Sequence, residues 1–184
     1  THRYTALKTV DKTAPKLESV TLVGPSGAGV AAGARRGEVI ANATNMARDF
    51  ANMPPAYLTA RIFADKAVEI AGANGLKVEV FNKDQLIAMG CGGLVGVNRG
   101  SVEPPRMVKL SYRPKGASKT TAKPHLILVG KGVMYDSGGI SLKPSDASHA
   151  MMKGDMSGAA AVLATMSTLK DLGCPNQVTA YLMC

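Results

Sequence analysis

Residues 129–161, VGKGVMYDSGGISLKPSDASHAMMKGDMSGAAA, decide how the rest of this chain is read. They set lysines and aspartates among small residues. On one side is a short apolar run at 125–129, HLILV; on the other is an apolar stretch beginning at Ala159. A run that short reads as a strand buried in a sheet. Gly130-Lys131-Gly132 lead out of it, and the glycines let other backbone approach where a side chain would block it. Asp136-Ser137-Gly138-Gly139 repeats the arrangement, a carboxylate with small neighbours. Asp155 stands just before the predicted helix, near an N-terminus that favours negative charge.

Four of these charges, Lys131, Asp136, Lys143 and Asp155, carry the case for chemistry. Two carboxylates and an amine brought together suit a hard or borderline divalent cation. A lysine coordinates only when neutral, and burial or a nearby cation lowers its pKa, so Lys131 can serve as a ligand. Lys143 would then stay charged, able to polarise a carbonyl or hold a developing oxyanion. The competing reading is a structural glycine-rich loop with solvated charges. Phosphate loops are excluded by pattern. Lys131 is followed by Gly132, not Ser or Thr, and Gly132 is followed by Val133-Met134-Tyr135, which breaks G-x-G-x-x-G. No H-E-x-x-H or G-x-S-x-G occurs, which removes single-zinc peptidases and α/β-hydrolases. Of the three histidines, His2 is terminal, His125 opens a strand, and His149 reads as a surface-loop residue.

The same stretch resembles the signature of the leucyl aminopeptidase (cytosol aminopeptidase) family of dinuclear metallopeptidases. That signature is close to VGKG(I/L)T(F/Y)DSGG(I/L)S(I/L)KP, a short spacer, then M-K-x-D-M-x-G-A-A. Here it reads VGKGVMYDSGGISLKP, then SDASHAM, then MKGDMSGAA. Asn52-Met53-Pro54-Pro55 matches the N-x-P-P that opens the family's catalytic domain. The resemblance implies a metal-dependent aminopeptidase that removes leucine-like N-terminal residues from peptides. It implies two divalent ions (Zn2+, Mn2+ or Mg2+) and bicarbonate as a base. Lys131, Asp136 and Asp155 would be metal ligands, with Asp136 bridging. Lys143 would be the catalytic lysine, and Met152 would line the substrate pocket. The ordinary alternative for Met152 is core packing; for Lys153 and Asp146 it is a solvated surface charge. The spacer before Asp155 is one residue longer than in common members, which bears on Met152. The family's second cluster, an N-T-D-A-E-G-R run, has no counterpart in residues 1–184. The chain therefore resembles an incomplete piece, expected to hydrolyse little by itself. The alternative function is a non-catalytic scaffold or DNA-binding module. The complete protein is expected to be a cytoplasmic homo-hexamer.

The chain has 184 residues, 46% hydrophobic, enough for a core, and no apolar run long enough to span a membrane. No signal peptide opens it. Cys91, Cys174 and Cys184 are scattered and odd in number, which suits a reducing compartment. Net charge is +9. Part of it lies in residues 113–123, RPKGASKTTAK, read as an exposed hairpin loop between strands 107–112 and 125–129. No aromatic is interleaved there to stack on bases, so DNA binding is not the favoured reading.

Residues 17–23 read as a strand, broken by the glycines of 24–29. Helical spacing of Val39, Ala43, Met46 and Phe50 predicts a helix from 34, stopped by Pro54-Pro55. Thr59 is a predicted N-cap for a second helix with Ile62, Phe63, Ala67, Ile70 and Ala71 on its apolar face. Strands are predicted at 77–81, 92–97, 107–112, 125–129 and 177–183, a capping box at Asn82/Gln85, and a long helix ending at Leu169. The expected architecture is α/β: a mixed, largely parallel sheet with helices on both faces. Residues 1–33 would be a remnant of an N-terminal domain, 34–55 a connecting helix, and 56–184 the first half of a catalytic domain. Sites in such sheets form beyond strand carboxyl ends, where Lys131 falls.

Overall fold

Four short strands build one sheet, with helices before the first, between the first and second, and between the third and fourth. The protein's structure, a computed structural model, describes residues 2–7, 9, 18–24, 26–115 and 123–184. The helices are α1 (Ala28–Asn52), α2 (Ala60–Asn74), α3 (Lys83–Ala88), α4 (Gly92–Val97), α5 (Ala147–Met151) and α6 (Ser157–Thr168). The strands are β1 (Lys77–Phe81), β2 (Met107–Tyr112), β3 (Leu126–Lys131) and β4 (Val178–Met183). Their order is β1-β2-β4-β3.

The sheet is mixed, but only β3 and β4 pair in parallel; β1–β2 and β2–β4 are antiparallel. The largely parallel expectation is corrected to that extent. The hairpin expectation is corrected too, because β4 lies between β2 and β3. Residues 116–122 of the segment joining β2 to β3 lie outside the described residues.

Period-two alternation sorts the side chains. Val78, Leu110, Ala180 and Leu128 form one row across the sheet, by strand register, on the side of the core. α2 packs on β1 and β2, α6 packs on β3 and β4, and the two helices touch each other. They therefore share a face. The other face is an open groove lined by Lys77, Glu79, Lys109, Ser111, Thr179 and Tyr181 among others. Helices on both faces were expected; the helices that pack most closely on strands cover one.

α6 is rich in alanine, the best helix former, and buries Ala159, Ala160, Leu163 and Met166. α1 lies against α6, and its one buried side chain, Phe50, meets Phe63 of α2 edge-on at 5.1 Å between ring centroids. Thr59 caps α2 by accepting from the Ile62 N–H, and Asn82 with Gln85 forms the predicted capping box of α3.

Three local expectations change. α1 begins at Ala28 rather than 34, because the alanines of AGVAAG outweigh its glycines. Residues 92–97 form α4 instead of a strand. A six-residue apolar run carries no decisive period, and this one packs against α3. Residues 18–23 form no strand. Val20, Leu22 and Val23 are exposed, and among the described residues the segment pairs with no strand. Leu17, the start of that expected strand, lies outside the described residues. No helix is long and apolar enough to cross a membrane among the described residues.

Candidate metal centre at the end of β3

The site starts with a close contact between a strand and a helix. A Cβ placed on Gly130 would stand 2.6 Å from the Ala159 Cα, so only glycine lets β3 lie this near the first turn of α6. That approach sets Lys131, the last residue of β3, beside Asp155 at the foot of α6. Lys131 Nζ lies 2.9 Å from Asp155 Oδ2. Asp155 Oδ2 is sealed from solvent and, apart from that ammonium, has no polar partner among the described residues. The Asp155 contact raises the Lys131 pKa above its ordinary value, against a desolvation cost, with the Asp155 and Asp136 charges adding to the rise.

The chain then turns back on itself. Asp136 Oδ1 accepts from the Gly138 N–H at 2.9 Å, and the Lys143 N–H donates to the Ser137 carbonyl at 2.9 Å. Gly138 has φ 99°, a conformation that side-chain-bearing residues rarely adopt, and a Cβ there would meet the Ser141 carbonyl. This turn delivers Lys143 to Asp136, with Nζ 3.2 Å from Oδ2. The Gly138 amide, then Lys143, hold the Asp136 carboxyl below its ordinary pKa. Lys143 Nζ also lies 2.8 Å from Met152 Sδ.

All five residues singled out in the sequence thus belong to one neighbourhood. Lys131 pairs with Asp155, Lys143 pairs with Asp136 and touches Met152, and Asp136 lies within electrostatic range of Lys131. The donor set of two carboxylates and one amine suits a divalent cation in kind, and the buried, under-partnered Asp155 Oδ2 is an oxygen such a cation would satisfy. It is short in number. Among the described residues no three His, Cys, Asp or Glu side chains gather into a metal-holding group.

Sequence reasoning undervalued several residues here. Lys153 is no solvated charge, since its Nζ donates to the Asn52 carbonyl at 3.3 Å and ties the end of α1 to the site. A contact between residues so far apart along the chain leaves no local signal. Asp146 caps α5, its Oδ1 accepting from the His149 N–H at 3.1 Å. That pattern was legible, an Asp just ahead of a helical run. His149 is not a bare loop residue either; its ring packs against Tyr135.

The chain is similar to known proteins in sequence and in fold. The sequence model of the cytosol aminopeptidase family, catalytic domain, matches residues 45–184. A probable cytosol aminopeptidase of Chlorobaculum tepidum is 46% identical over 146 residues, covering 79% of this chain and 28% of the relative. One from Desulfovibrio desulfuricans is 41% identical over 187 residues, covering 100% of this chain and 36% of its own length. The chain therefore spans about a third of the length of these relatives. Among solved structures, the bottromycin maturation enzyme BotP in complex with Mn is similar at TM-score 0.77 and 44% identity, over 86% of this chain and 33% of that one. Leucyl aminopeptidase from Trypanosoma brucei in complex with actinonin is similar at TM-score 0.73 and 39% identity, over 79% of this chain and 27% of that one. With the family model matching most of the chain, from 45 to 184, the protein belongs to the cytosol aminopeptidase family.

Proposed function

We propose that this chain carries part of the site of a metal-dependent aminopeptidase, which removes leucine-like N-terminal residues from peptides. The observation that carries the reading is the meeting of two lysine–aspartate pairs at the end of β3. Lys131, Asp136 and Asp155 would hold the divalent ions; Mn2+ has the support of the similar BotP structure, and Zn2+ and Mg2+ suit the same donors. Bound there, the metal supplies Lewis acidity and a water of lowered pKa.

The remaining chemistry belongs to the side chains. Lys131 Nζ must give up a proton before its lone pair is available, so metal uptake releases protons. Lys143 would act on the substrate rather than on the metal. Its ammonium, 3.2 Å from Asp136, can turn to the peptide carbonyl and donate to the oxyanion that develops on attack. Met152 stands against that ammonium and would present an apolar wall to the substrate's first side chain.

Calorimetric titration with MnCl2 tests the ligand set. Asp155→Asn and Asp136→Asn are expected to weaken Mn2+ binding about tenfold or more, and Lys143→Ala to leave it near the starting value. Unchanged binding in both aspartate variants would remove the metal reading. Leucine-amide hydrolysis tests Lys143 separately: with metal retained, Lys143→Ala should lose about 100-fold in rate. The chain alone, with three donors for its metals, is expected to cleave slowly. Rapid cleavage by the isolated chain would contradict that.

A further inference from the structure

Tyr135 and His149 take no part in the four charges, yet they sit between them. Tyr135 immediately precedes Asp136, and His149 lies in α5, three residues before Met152. The Tyr135 hydroxyl donates to the His149 carbonyl at 3.2 Å. The two rings face each other with centroids 5.6 Å apart and planes tilted by 36°. His149 Nε2 is buried without a hydrogen-bond partner among the described residues, and the ring packs on Tyr135. The His149 N–H is tied to Asp146 at 3.1 Å, which fixes the other side of the pair to the first turn of α5.

Lys143 spans the same gap, from Asp136 to Met152. The turn bearing Asp136 and Lys143 therefore meets the α5 segment at two places. One is the ring pair, the other the lysine contact. A flexible lysine in a turn needs such support if its ammonium is to stay within a fraction of an ångström of a working position.

We propose that Tyr135 and His149 are positioning residues: their paired rings clamp the Asp136–Lys143 turn onto α5 and thereby set the Lys143 ammonium between Asp136 and Met152. The catalytic meaning of the clamp rests on the reading of Lys143 given above. The clamp itself is tested without reference to hydrolysis.

The test is reductive methylation of the whole chain, with labelling at each lysine followed by peptide mass spectrometry. Lys83 and Lys170, both exposed and outside this site, serve as internal references. His149→Ala should raise the labelling rate of Lys143 about two- to tenfold over those references, the range an aromatic pair supports. Tyr135→Phe keeps the ring and loses only the hydroxyl, so its rise should be smaller. His149→Phe restores a stacking ring and should bring Lys143 back near its original rate, which simple loss of stability would not do. Thr59→Ala, remote on α2, should leave the Lys143 ratio unchanged despite lowering stability. Two results would overturn the proposal: a Lys143 rate unaltered by His149→Ala, or a rise shared equally by Lys83 and Lys170. Full leucine-amide cleavage by Lys143→Ala would end the catalytic reading while leaving these labelling ratios untouched.

Discussion

On the helix side of the sheet, Val108, Leu110, Ala180 and Leu182 are sealed beneath α2 and α6. On the opposite side Ile127 and Val129 stand 56% and 63% exposed, in line with Lys77, Glu79 and Lys109. The same four strands supply both. Lys131 shares the parity of Ile127 and Val129, so it leaves the sheet on the open side and reaches past its end to Asp155. The packed face supplies stability, and the rim of the open face supplies the charges. A site built there can lose a charge at little cost to the fold, whereas the core cannot lose a side chain cheaply.

The largest expected effect tests that separation directly. Leu163 of α6 is fully buried in the core cluster. Leu163→Ala removes apolar contacts and leaves a cavity, and should cost about 2–5 kcal/mol in urea unfolding. Val129→Ala, on the open face, should change stability by no more than about 0.5 kcal/mol. Similar losses for the two would mean that the open face is also a core, and the comparison would fail.

A middle-sized effect sharpens the account of the packed side. Thr59 accepts from the Ile62 N–H at 3.4 Å at the start of α2. Thr59→Ala should cost about 1 kcal/mol, and Thr59→Asn should keep most of the stability, because the cap needs an oxygen rather than a particular side chain. A neutral Thr59→Ala would show that packing of Phe63 and Ala67 holds the helix start without its cap.

The packed side was also the legible side. Thr59, the Asn82/Gln85 box and the spacing of Phe63, Ala67 and Ala71 are local signals, and the helices they predict are present. Strands at 77–81 and 107–112 carried β-forming residues in alternation and were equally plain. The failures share a cause, since each needed knowledge of a neighbour. Residues 92–97 could be strand or helix until α3 was beside them, and residues 18–23 join no strand among the described residues. Strand order was illegible because nothing local says that β4 enters between β2 and β3. The glycines and charges of the candidate site left a structural loop and a metal site both open, and the resemblance of the whole motif pointed to the metal reading. What the glycines do mark is backbone geometry, the close approach at Gly130 and the positive φ at Gly138. The Lys153–Asn52 and Tyr135–His149 contacts were not legible, since each joins segments whose approach depends on the fold.

The smallest expected effect concerns the open face alone. Glu79 lies 3.3 Å from Lys109 and 3.6 Å from Lys77, and it is partly exposed. The Lys109 contact, with Lys77 adding less, lowers its pKa below the usual glutamate range. A carboxylate whose pKa is depressed by folding adds stability above its unfolded pKa, near 4.3, and loses that contribution as pH falls through the lower folded value. Wild type should therefore be slightly more stable than Glu79→Gln at pH 7. The gap should shrink only below about pH 4.3, and also shrink in about 1 M salt, which screens exposed pairs. Paired urea titrations at pH 7, at acid pH and at high salt read the difference. A gap unmoved by both acid and salt would show that Glu79 acts through packing, and that the open groove is more closed than its exposed valine and isoleucine indicate. A gap that closes in both places the open face in water, where its charges steer and solubilise but hold little of the fold together.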